Sequence, residues 1–109
     1  MSLDVQALSQ TMIDAVRASV SGRWPRLRAL AEVEARKLAQ CVLDVQALLQ
    51  AGQIDERRAK QLIRIQQTAA RGVFCTIKGF GLLTAEQATA TAIRSVAGTV
   101  NTVLNFKLL

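Results

Sequence analysis

Only one backbone sorts residues 55 to 78, DERRAKQLIRIQQTAARGVFCTIK, into two clean surfaces. Turned by about 100° per residue, as in an α-helix, Ala59, Leu62, Ile63, Ala70, Val73, Phe74 and Ile77 collect on one side. Arg57, Lys60, Arg64, Arg71 and Lys78 collect on another. A strand, with its period of two, would interleave the sets. The cations at 57, 64, 71 and 78 keep a seven-residue period, so they form a slowly drifting stripe along the helix.

The same spacing runs through the rest of the chain. Val5, Leu8, Met12, Val16 and Val20 recur every three or four residues, which predicts an amphipathic helix over about 3 to 21 with Asp4 in its first turn. Ser21-Gly22 supplies a stop, and Pro25 suits the first position of a second helix, where its missing N–H has no partner to lose. That helix runs over about 25 to 50, with Leu27, Leu30, Leu38, Val42, Val45 and Leu49 on its inner side. Gly52 fits the left-handed residue after its end, and Asp55 the cap of the third helix, 55 to 78. Gly79 and Gly81 break the chain again. Thr84-Ala85-Glu86-Gln87 then has the S/T-x-x-E/Q pattern of a capping box, which predicts a fourth helix over about 84 to 105. Its inner positions, Ala88, Ala92, Val96 and Val100, are small enough for close approach.

Short connections fold successive helices back on each other. The expectation is therefore an all-α domain spanning 1 to 109, a four-helix up-down antiparallel bundle or a helical array completed by self-association. A chain of 109 residues supports one core and buries roughly two-thirds of its unfolded surface. With one Trp, three Phe and no Tyr, that core is built of Leu, Ile, Val and Ala. LDVQAL occurs at both 3 to 8 and 43 to 48, but the sequences that follow do not align as a repeat.

Several chemistries are disfavoured. Without histidine there is no Ser-His or Cys-His nucleophile, no imidazole metal ligand and no histidine base. Gly79-Phe80-Gly81 lacks the lysine and strand of a phosphate loop. Glu32 and Glu34 point about 160° apart on a helix and make no carboxylate pair. Cys41 and Cys75 match no metal or redox spacing. The expectation is a non-enzyme without cofactor or metal. The start has no signal-peptide pattern, no uncharged apolar run approaches the roughly 20 residues of a membrane span, and a reducing cytoplasm is the default.

The formal charge is +6, and its placement matters more than its size. Residues 23 to 78 hold eleven of the fourteen Lys and Arg against five of the eight acids. Two groups are candidate anion-binding residues: Arg57, Lys60, Arg64, Arg71 and Lys78 on the third helix, and Arg23, Arg26 and Arg28 at the start of the second, where exposed N–H groups welcome an anion. Arg28 also has Glu32 at i+4. Cations beside Cys75 would favour its thiolate, although packing is the commoner use of a free cysteine.

Glu34 falls inside an apolar stripe and Gln66 interrupts another. A Glu34 to Arg71 pair across the hairpin is one expectation, and both polar intrusions fit devices that set register or partner choice. The tail Phe106-Lys107-Leu108-Leu109 is apolar for a free end, which predicts docking on the bundle or on a neighbouring subunit.

The functional expectation is an assembly or adaptor module acting through protein-protein contact, homo-oligomeric. Its alternative is an anion-surface binder using the basic stripe on lipid headgroups or nucleic acid, with an acidic protein as a further partner class. No exposed aromatics are interleaved with the cations, which disfavours nucleic acid.

Overall fold

Four stretches of the chain coil as their spacing predicts. The computed structural model describes residues 3 to 109 and contains helices α1 (Val5–Val20), α2 (Trp24–Gln50), α3 (Glu56–Phe74) and α4 (Leu82–Leu104). Each sits beside its sequence neighbours. α1 packs against α2 and α4, α2 also packs against α3, and α3 closes the ring on α4 more sparsely; α2 and α4 barely meet across the diagonal. The molecule measures 43 × 23 × 18 Å, and α2, about 1.5 Å per residue, runs along almost all of its length.

The core is aliphatic. Leu8, Met12 and Val16 of α1 meet Leu27, Leu38 and Val45 of α2, with Ile63 and Phe74 from α3. α4 contributes mainly Ala85, Ala88, Ala92, Val96 and Val100, so its backbone comes close to its neighbours. Burial of each Leu-sized side chain contributes about 1.5 to 3 kcal/mol. Among the described residues no helix is long and apolar enough to cross a membrane.

The end of the bundle that holds the α2–α3 turn is closed by local chemistry. Gly52, at φ 71°, ends α2: its N–H donates to the Leu49 carbonyl at 3.1 Å, and the Gln53 N–H donates to Leu48 at 2.9 Å. Those two bonds satisfy carbonyls that the helix end would leave open. Asp55 opens α3 by accepting the Arg58 N–H at 2.8 Å. Asp4 opens α1 in the same way, accepting the Gln6 N–H at 2.9 Å. The second LDVQAL copy uses its aspartate differently, since Asp44 lies late in α2 and accepts from Gln40 Nε2 at 2.9 Å.

The opposite end departs from the sequence reading three times. α1 passes into α2 through a single 3₁₀ turn, Ser21–Arg23, and the positive φ falls on Ser21, at 50°, rather than on Gly22. α3 stops at Phe74, four residues before Lys78, because the chain must turn to bring Ile77 and Phe80 back into the core, where they are 9% and 5% exposed. Gly79 makes that turn at φ 89°. α4 then begins at Leu82 with Gly81 as its cap and no side-chain bond to it. Thr84 and Gln87 therefore lie inside the helix, and the expected capping box does not form.

The tail docks on its own bundle. Asn105 ends α4 in the left-handed region, φ 61°, and Leu108 is buried. Asn101 clamps the segment: its Oδ1 accepts the Leu108 and Leu109 N–H groups, both at 2.9 Å, and its Nδ2 donates to the Leu109 carbonyl at 3.1 Å.

Candidate anion-binding surface

Ala59, Ile63, Ala70 and Phe74 turn the inner face of α3 toward the core, and the helical period fixes everything else around that axis. Leu62, Gln66 and Val73 fall on the α2 side. Lys60, Arg64 and Arg71 fall on the α4 side, about 100° to 140° round from Ala59. The basic stripe therefore follows the α3–α4 seam, the most loosely packed corner of the ring.

Lys60 and Arg64 are exposed, as is Arg57 one turn earlier. Arg71 is half-buried in the seam, where its Nη1 donates to Glu86 Oε1 of α4 at 3.2 Å. The seam forms two adjoining troughs. Arg64, Gln67, Arg71, Glu86 and Thr89 line one; Lys60, Arg64 and Gln67 continue into the other, closed by Ile93, Lys107 and Leu108. Glu86 is the one acidic side chain lining the two troughs, against Lys60, Arg64, Arg71 and Lys107. Lys78 is exposed as well, but stands in the α3–α4 loop and not on the helix.

The arginines near the start of α2 do not converge on one point. The Arg23 guanidinium lies over the Phe80 ring, 5.5 Å from its centroid, a contact contributing roughly 0.5 to 1 kcal/mol at an exposed site. Arg26 extends beside the same loop, its Nη1 only 3.4 Å from where a Cβ on Gly79 would stand. Arg28 points along α2 to Glu32, Nε to Oε1 3.2 Å. Among the described residues Arg23, Arg26 and Lys78 make no ion pair, and they crown one end of the bundle.

The Glu34 to Arg71 pair does not form. The register is as expected, for Cys41 of α2 faces Leu62 of α3, which sets Glu34 level with Ala69. At Arg71, two residues further on, the helix has turned the guanidinium toward α4. Glu34, 2% exposed, pairs instead with Lys37 on its own helix, Oε2 to Nζ 3.2 Å. Gln66 is half-buried in a groove on the outer α2–α3 face with Cys41, Leu48 and Leu62. Phe106 and Leu109 are half-buried with the docked tail.

The cysteines also separate. The Cys41 thiol is half-buried and reaches the Leu62 carbonyl at 3.9 Å; burial, and then the Asp44 charge, push its pKa up. Cys75 is exposed at the end of α3, so it is not the packing residue that the sequence favoured.

The two most exposed leucines among the described residues, Leu82 at 59% and Leu83 at 68%, lie outside the residues that the sequence marks as a site. The signal was present, since on a helix carried back from Ala85, Ala88, Ala92 and Val96 the Leu83 position falls about 180° from Ala92. The capping-box reading placed them in a loop and hid it. Lys107, in a tail whose sequence predicts apolar docking, closes the cationic seam.

What this surface offers is positive charge set along the seam of two packed helices. Comparison with known protein families, with curated proteins and with solved structures finds no match.

Proposed function

We propose that the protein is a non-catalytic module that docks electrostatically on a phosphate-bearing surface. The observation that carries this reading is the convergence of Lys60, Arg64, Arg71 and Lys107 on one seam whose one acidic side chain is Glu86, continued at the loop end by Arg23, Arg26 and Lys78, which are exposed and without an ion pair among the described residues. Such a field attracts polyanions and raises their rate of encounter. Binding that releases counterions weakens steeply with salt, with a log-log slope that counts the phosphates neutralised. In a titration against a polyanion at rising salt, Lys60→Glu with Arg64→Glu is expected to lower the affinity at least tenfold and flatten the slope by about two. Unchanged affinity and slope would remove the seam from the function.

A second reading, homo-oligomeric assembly through helix contact, draws support from Ile65, 66% exposed, and Val33, 44% exposed, near the outer groove that Leu48 and Leu62 line. Ile65→Asp would then reduce the mass seen by light scattering, whereas a wild-type monomer would end this reading.

A further inference from the structure

We infer that the surface this protein docks on is an anionic lipid bilayer, met end-on, with Leu82 and Leu83 inserted and Arg23, Arg26 and Lys78 at headgroup level. The inference rests on the loop end of the proposed electrostatic surface, Arg23, Arg26 and Lys78, and names the partner there, while the Lys60 and Lys107 end of the seam stands away from the bilayer. Antiparallel packing puts the α1–α2 turn and the α3–α4 loop at the same end, and the Arg23 to Phe80 and Arg26 to Gly79 contacts join them. Leu82 and Leu83 follow within a few residues, 59% and 68% exposed, in the first turn of α4. Cations and grease therefore project together at a tip of a molecule 43 Å long.

That combination separates the candidate partners. An interfacial segment lowers apolar side chains about 5 to 10 Å into the boundary between headgroups and acyl chains while its cations face anionic lipid. A nucleic acid gives two exposed leucines nothing comparable; single strands reward aromatic stacking, and here Phe74 and Phe80 are buried in the core at 3% and 5% exposure, with only half-buried Trp24 near the surface of the tip among the described residues. The charge of the tip complements a membrane carrying phosphatidylserine.

The chain carries its own reporter. Trp24, the only tryptophan, opens α2 at the same end, half-buried beside Arg17 and Ser21. Sedimentation with vesicles of phosphatidylcholine doped with phosphatidylserine should pull the protein down in a salt-dependent way, and brominated acyl chains should quench Trp24 emission. The double variant Leu82→Ser with Leu83→Ser should weaken partitioning roughly tenfold or more and remove the quenching. Its thermal melting should stay near that of the wild type, because both side chains are exposed. Binding of the double variant equal to the wild type would overturn insertion. Binding to duplex DNA or inorganic polyphosphate but not to vesicles would overturn the lipid inference and leave the electrostatic function standing; no binding to any of the three at low salt would overturn both. A wild-type dimer that the double variant converts to a monomer would make the tip a self-association face and overturn the inference as well.

Discussion

The two ends of this bundle are built on opposite principles. At the α2–α3 end a glycine and polar side chains close the helix ends: Gly52 closes α2, Asp55 opens α3, and Asn101 fastens the tail with three bonds. At the other end Gly81 caps α4 without a side chain, Ser21 holds a φ that side chains rarely adopt, and leucines and unpaired cations face outward. The difference teaches where stability and contact with the outside have been placed. Features that cost stability collect at the end proposed to touch a surface, which is where strained or unsatisfied groups are expected in a functional protein.

Breaking the closed end should cost most. Asn101→Ala removes three hydrogen bonds and leaves the Leu108 and Leu109 N–H groups unpaired, so it is expected to destabilise the fold by about 2 to 3 kcal/mol. At about 4 to 8 °C per kcal/mol for a domain near this size, calorimetry would show a Tm lower by roughly 10 °C or more. Arg23→Ala at the open end, which loses one exposed contact, should stay within about 1 kcal/mol. Equal losses at the two ends would erase the contrast.

The turn residues give an intermediate test. Gly52→Ala and Gly79→Ala each force a side chain into the left-handed region, at φ 71° and 89°, at a cost of about 1 to 2 kcal/mol. Gly22 lies outside that region with open space around its Cβ position, so Gly22→Ala should stabilise by about 0.4 to 1 kcal/mol through the unfolded chain. Gly81→Ser should also stabilise, by roughly 0.5 to 1.5 kcal/mol, because the extended backbone at this cap (φ −82°, ψ 175°) lets a hydroxyl reach the first turn of α4. Denaturant midpoints of the four variants would check the set. A destabilised Gly81→Ser would show that this end is fixed by something other than the missing cap.

The same contrast explains what could be read from the residues. The aliphatic stripes of all four helices, the Gly52 and Asp55 stops and the outward basic stripe were legible because each depends on a short window and one period. Glu34 shows where that ends. Its register opposite α3 follows from the hairpin, but its partner depends on which way Arg71 turns, and that is decided by α4, far away in sequence. The α3–α4 connection was misread for a related reason. Thr84-x-x-Gln87 is a sound local start signal, yet returning Ile77 and Phe80 to the core fixed where the loop could run, and the helix began two residues earlier. Tertiary demand outweighed local pattern there, and with it went the view of Leu82 and Leu83.

The two thiols provide the smallest effect. Cys41 has its pKa raised above the ordinary 9.0, first by burial and then by Asp44, so the folded chain holds this proton more tightly than the unfolded chain. The neutral thiol's contribution to stability is then fully present below about pH 9 and is lost as pH climbs through the folded-state value. Other groups titrate in that range, so the informative quantity is the difference between the wild type and Cys41→Ala, which loses a half-buried side chain at every pH. That difference should be constant up to about pH 9 and shrink above it. Cys75, exposed at the open end, should react with a thiol reagent well before Cys41 does in the folded protein, and the two should become equal in denaturant. Equal rates without denaturant would mean that α2 and α3 separate as readily as the open end is reached, and the stability contrast between the two regions would not survive.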